Sequence, residues 1–124
     1  MTKTNNIKQD LYNQCLTFVD NRLQTIQNTI SEIQESLTSE TKSSAGDKHE
    51  TGRAMLHIER EKAGQQLAEI QKINQALTKI DVSETSEIVV LGSIVFTTQA
   101  NYFVAVSAGE ITSSNDKFYA ISAI

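Results

Sequence analysis

Residues 12–37 read YNQCLTFVDNRLQTIQNTISEIQESL. The apolar positions Tyr12, Leu16, Val19, Leu23, Ile26, Ile30, Ile33 and Leu37 are separated by steps of 4, 3, 4, 3, 4, 3 and 4. A heptad repeat of this kind keeps one seam of a helix turned toward a partner helix, and the two wind around each other. Between the seam positions stand mostly Asn, Gln, Thr, Ser, Asp, Glu and Arg, which suit a solvated face. The spacing predicts a helix from about Thr4 to Ser39. The chain contains no proline, so no interior residue removes an amide donor or clashes with the preceding turn.

Outward from this seam, Thr38 to His49 is rich in small hydroxylated residues, carries Gly46 and breaks the apolar period. It reads as a turn between helices. Asp47 followed by Glu50 matches an N-cap with a capping-box acid three residues later, so a second helix is expected from about Lys48 to Ile80. Leu56, Ala63, Leu67, Ile70 and Leu77 supply its seam, and Ile73 and Ile80 widen the stripe. Asn74 falls where a strict seam would place an apolar residue, and a buried polar group there can set register. Gly52 and Gly64 each weaken a helix by ~1 kcal/mol relative to Ala, or else let a partner helix approach closely. Two helices of similar length joined by a short turn pack antiparallel, and a ~30-residue arm reaches roughly 45 Å.

After Asp81 the pattern changes. Ile88–Leu91, Ser93–Thr98, Tyr102–Ser107 and Lys117–Ile121 are rich in β-branched and aromatic residues. Gly92, Gln99-Ala100-Asn101, Gly109 and Ser113-Ser114-Asn115-Asp116 punctuate them. Three or four short antiparallel strands are expected, and so small a sheet needs a helix or a partner to cover its apolar face. The fold class is therefore α+β: a long antiparallel coiled-coil hairpin over residues 1–82, its acidic tip near 40–50, then a small β-domain over 83–124.

Composition narrows the function. The 124 residues are 39% hydrophobic and 6% aromatic, with no Trp, which suits contacts spread along a seam better than a large core. Net charge is −4 and the pI about 5.1; Lys and Arg are scattered rather than gathered into a basic face, so direct, sequence-independent DNA binding is disfavoured, and sequence-specific DNA binding is not expected either. A single cysteine, Cys15, forms no internal disulfide and fits a reducing cytoplasm. The N-terminus lacks the apolar segment of a secretory signal, and no apolar run approaches the ~18 residues that span a bilayer. Cys15 lies just off the seam and reads as a small packing residue. A zinc site is unsupported, because His49 and His57 lie eight apart with no third ligand near.

The chemistry-bearing stretch is Ser43-Ser44-Ala45-Gly46-Asp47-Lys48-His49-Glu50-Thr51, which places two carboxylates where the second helix opens. Here the chain resembles the Gre family of bacterial transcript cleavage factors, whose hairpin tip carries Gly-Asp-x-x-Glu-Asn. Gly46-Asp47-Lys48-His49-Glu50-Thr51 is similar to that motif, with Thr51 where the family has Asn. The likeness continues through Glu61-Lys62-Ala63-Gly64-Gln65-Gln66 and Leu91-Gly92-Ser93-Ile94-Val95, and covers about two thirds of the chain.

The resemblance implies an FKBP-like β-domain that seats on RNA polymerase. Its start is visible at Gly92–Val95 and Phe118-Tyr119-Ala120-Ile121-Ser122, and the chain ends where the family continues, so an incomplete domain is expected. It further implies a hairpin that enters the polymerase secondary channel and stimulates cleavage at the 3′ end of backtracked RNA. Asp47 and Glu50 become metal-positioning acids acting in trans, and Lys48, His49, Thr51 and Arg53 contact polymerase or RNA. The Mg²⁺ is shared with the polymerase active site, since two carboxylates alone hold it weakly. On this reading the chain is not itself an enzyme, holds no cofactor of its own and does not touch a membrane. Two other readings stay open: a non-cleaving regulator of the same channel, with Thr51 for Asn or the altered β-domain as the cause, and a structural or adaptor coiled coil. As the plain alternative for the acids, Asp47 and Glu50 cap the second helix, a role worth ~1 kcal/mol.

Overall fold

The computed structural model describes residues 3–42 and 47–122, with side chains described for residues 6–39 and 52–122. Two helices, α1 (Lys3–Lys42) and α2 (Asp47–Thr78), precede four strands: β1 (Ile94–Phe96), β2 (Asn101–Ala105), β3 (Gly109–Ser113) and β4 (Asp116–Ser122). The arrangement is α+β, with two packing helices followed by a small open sheet. The chain divides into two compact units, one of residues 1–20 and 73–124, the other of residues 21–72. No described helix is long and apolar enough to cross a membrane.

In the unit of residues 21–72, the seam is the core. Ile33, Leu37 and Ala63 are buried together, and Ile30 and Leu56 pack against them. The late part of α1 thus meets the early part of α2. Ile26 and Ile70 are also buried, at 7% and 3% exposure. α1 continues to Lys42, beyond the expected end at Ser39. Extending a formed helix by one residue is far easier than nucleating one, and Ser39-Glu40-Thr41-Lys42 includes nothing that stops it. Gly64 is not a close-approach site. A Cβ there would meet only the Arg60 Nη1 at 3.0 Å among the described residues, the flexible tip of a side chain on its own helix.

The unit of residues 1–20 and 73–124 has a different core. Phe103, Phe118, Leu11, Leu77, Val19 and Cys15 are all fully buried. On α1 the buried stripe here is Leu11, Cys15 and Val19, whereas the expected seam residues Tyr12 and Leu16 are half-buried. A helix that packs in more than one direction needs a wider apolar face than a two-helix seam. Cys15 is buried as expected, and burial pushes its thiol up to about 11 because the interior disfavours the thiolate. Ile73, expected to widen the stripe on α2, is instead 37% exposed.

α2 closes with a tightened last turn, in which Lys79 and Ile80 donate to the carbonyls of Ala76 and Leu77. Asp81 then forms an Asx turn. Its carboxylate accepts from the Ser83 hydroxyl at 2.5 Å and the Ser83 N–H at 2.9 Å. Those bonds, the hydroxyl's first, hold its pKa below the usual carboxylate value.

The sheet corrects two expectations. Its strand order is β1-β2-β4-β3, and it is mixed rather than antiparallel. β1–β2 and β3–β4 are antiparallel, but β2 and β4 run parallel, with Tyr102 beside Tyr119 and Phe103 beside Ala120. Parallel neighbours need a crossover, and here residues 106–115 supply it, with β3 inside. Two reversals, at 106–108 and at Ser114-Asn115, turn β4 back to the direction of β2. The second correction concerns Ile88–Leu91, which pairs with no strand. Val90 and Ser93 close a local turn instead, the Val90 N–H donating to Ser93 Oγ and the Ser93 N–H to the Val90 carbonyl, both at 2.9 Å. Ile88 and Val89 are left 71% and 64% exposed.

Candidate functional site

The acids singled out by sequence lie where α2 begins. α2 opens at Asp47, one residue before the expected start, so Asp47 and Glu50 occupy its first turn, three residues apart. Residues at i and i+3 of a helix are neighbours on its surface. That turn also carries unpaired N–H groups and the positive end of the helix dipole, both of which favour carboxylates. The side chains of Asp47, Lys48, His49, Glu50 and Thr51, and all of residues 43–46, lie outside the described residues. Arg53, the sixth residue, is half-buried. His57 is exposed, as expected of a solvated helix face.

Two carboxylates within one helical turn suit a hard divalent cation in their donor chemistry, but supply only part of its coordination shell. Among the described residues no group of three or more His, Cys, Asp or Glu side chains converges. Further acids stand on the α1 segment that shares a core with early α2. Glu32 and Glu35, with Ser36 and Ser39, line a surface groove of about 400 Å³.

A second concavity was not anticipated from sequence. The β1–β2 hairpin, residues 97–101, and the β4 residues Lys117 and Tyr119 line a polar cavity of about 340 Å³. The hairpin is braced from within. Thr97 Oγ1 accepts from the Ala100 N–H at 3.0 Å and donates to the Ala100 carbonyl at 2.6 Å. Asn101 Nδ2 donates to the Lys117 carbonyl at 3.3 Å, tying the hairpin to β4. The available signal was alternation: in 117–121, Phe118 and Ala120 are buried while Lys117, Tyr119 and Ile121 are exposed, as the two-residue period of a strand requires.

Comparison with protein-family models, with curated proteins and with solved structures finds no match for the chain.

Proposed function

We propose that this chain is a Gre-like transcription factor of the cytoplasm, which inserts an antiparallel coiled-coil tip into the secondary channel of RNA polymerase and stimulates cleavage of backtracked RNA. The observation that carries the reading is the start of α2 at Asp47, directly after Ser43-Ser44-Ala45-Gly46. Asp47 and Glu50 of the Gly-Asp-x-x-Glu pattern then fall in the first turn of α2, which supports the reading. The reverse order in which the helices meet supports the hairpin. Tyr12 bonds to Leu77 in one unit, and Ile33 and Leu37 share a core with Ala63 in the other. The sheet is read as part of an FKBP-like domain that seats on the polymerase.

In this reading Asp47 and Glu50 would hold a Mg²⁺ jointly with polymerase groups, and the bound ion would supply charge neutralisation and water activation. Lys48, His49, Thr51 and Arg53 contact polymerase or RNA around them. The nuclease activity belongs to the polymerase. Thr51, where the family motif has Asn, favours a second reading, in which the tip enters the channel without supporting cleavage.

The test is cognate polymerase stalled on backtracked, 3′-labelled RNA. The proposal expects faster 3′-end cleavage with the chain than without it, and loss of that acceleration in Asp47→Ala with Glu50→Ala. Binding to polymerase with altered pausing but no RNA shortening assigns the second reading. No binding to polymerase rejects both and leaves an adaptor coiled coil.

A further inference from the structure

The cavity beneath the β1–β2 hairpin has one aromatic wall. Tyr119 stands on a central strand of the sheet, 38% exposed. Its register partner is Tyr102 on the other central strand, with ring centroids 6.1 Å apart and planes at 42°. Tyr102 is half-buried and supports the Tyr119 ring from the side, leaving part of that ring to solvent. Lys117 lies two residues earlier on the same face of β4 and also lines the cavity. Among the described residues its ammonium pairs with Glu110, at 3.8 Å, with the Lys and Glu side chains 69% and 50% exposed. That distance is beyond a hydrogen bond, and an ion pair this exposed is weak. Gln99, Asn101 and Thr98, which carry amides and a hydroxyl, also line the cavity. The hairpin's own bracing uses Thr97 and one Asn101 N–H, so these groups retain donors and acceptors for a ligand.

An exposed ring, one exposed ammonium and neighbouring neutral amides in a cavity this size match a flat ring that carries an anionic group. The volume falls within the range of small-ligand sites. Any base has a face that stacks on an aromatic side chain, and amides read base edges. We propose that this cavity binds a nucleotide, its base stacked on Tyr119, its phosphate at Lys117 and its polar edge toward Gln99 and Asn101. None of the acids assigned to magnesium takes part, so the inference stands or falls apart from the polymerase reading. The ligand is a free mononucleotide or the end of a single strand, which share this chemistry. The net charge of −4 argues against a long polyanion held along a groove, because extended strands are held through many phosphate contacts. One nucleotide at one ammonium does not meet that objection.

The test is titration of the full chain with 5′-AMP, observed by NMR through the backbone amides of residues 97–101 and 117–119. The proposal expects saturable shifts confined to those amides, with a Kd in the millimolar range or below. Adenosine and inorganic phosphate each bind at least about tenfold more weakly, since each lacks one of the two contacts. Lys117→Met and Tyr119→Leu each weaken AMP by roughly tenfold, while Tyr119→Phe keeps the stack and the affinity. Glu110→Gln frees the ammonium and tightens AMP several-fold, a gain that a structural role for Glu110 would not produce. A dinucleotide that binds more tightly than AMP, with stronger salt dependence, assigns the strand end; equal affinity assigns the free nucleotide. Absence of shifts at 10-fold above a millimolar, shifts spread over other surfaces, or equal responses to AMP and adenosine would overturn the proposal. All three substituted side chains are exposed, and unchanged amide spectra outside the cavity certify the fold.

Discussion

The phenol of Tyr12 donates a hydrogen bond to the main-chain carbonyl of Leu77 at 3.0 Å, across 65 positions of sequence. Leu77 lies in the last turn of α2, where carbonyls lack helical partners, and its oxygen also accepts from the Ile80 N–H at 3.1 Å. A seam residue of one helix thus caps the end of the other. The ring packs at the seam and the hydroxyl specifies which turn it faces. Tyr12→Phe keeps the packing and removes the bond. Urea denaturation should show a loss of about 1 kcal/mol, within the range for one partly buried hydrogen bond. No change in midpoint would mean that water replaces the phenol without cost.

Gly92, Gly109 and Gly64 are three separate cases. Gly92 has φ of 92°, and a Cβ there would sit 2.9 Å from Ile80 Cγ2. Gly92→Ala therefore meets both backbone strain and a steric overlap, and should cost at least about 2 kcal/mol. Combining it with Ile80→Ala should cost less than the two changes summed, because the second removes the atom that the first strikes. Gly109 has φ of 77° with nothing within 4 Å, so Gly109→Ala carries strain alone, about 1 kcal/mol. Gly64→Ala should stabilise by up to ~1 kcal/mol. Thermal or urea unfolding of the single variants checks the order.

Ser114 and Asn115 join β3 to β4 with φ of 53° and 69°. Positive φ at both central residues is the demand of the tight hairpin turn that matches strand twist. Asn115 tolerates this and Ser114 does so poorly. Ser114→Asn with Asn115→Gly should raise stability by about 0.5–1 kcal/mol, measured by the unfolding midpoint. A lower midpoint would mean that these side chains make contacts the turn depends on.

Cys15 is fully buried and its thiol is pushed up to about 11 from an ordinary value of 9.0. Only the thiolate attacks electrophiles, so iodoacetamide at pH 8 should label the folded chain at least ~100-fold more slowly than the chain in urea. The same shift has a sign for stability. The folded state holds the proton more tightly than the unfolded one, so this contribution is intact below pH 9. It declines as pH rises toward 11. Cys15→Ala should flatten that part of the stability profile. Rapid labelling at pH 8 would show that the site opens easily.

Strands β1, β2 and β4 were legible as clusters of β-branched and aromatic residues bounded by turn formers, and the second helix as an apolar seam after a turn. Strand β3 was not. Gly109-Glu110-Ile111-Thr112-Ser113 holds one large apolar residue, and it reads as a linker until Phe118 and Ile111 are seen in register. Ile88–Leu91 failed in the opposite sense. Its composition is that of a strand, but strands exist only in pairs, and the Ser93 hydroxyl diverts the Val90 amide into a turn. The candidate acids come from a local sequence pattern, and their side chains lie outside the described residues. The cavity at Lys117 and Tyr119 was not legible, because it needs a hairpin that arrives from another strand.

What the sequence alone determined is what can be read along the chain: two proline-free helices with apolar steps of three and four, a break in that period over residues 38–49, and a strand-like segment at 117–121. These follow from the geometry of one element, where spacing dictates which side chains share a face. Tertiary structure decided that Leu11, Cys15 and Val19 rather than Tyr12 and Leu16 are fully buried, that β4 enters between β2 and β3, and that two tyrosines meet. Those outcomes depend on which surfaces distant elements present to each other, and no local period carries that information.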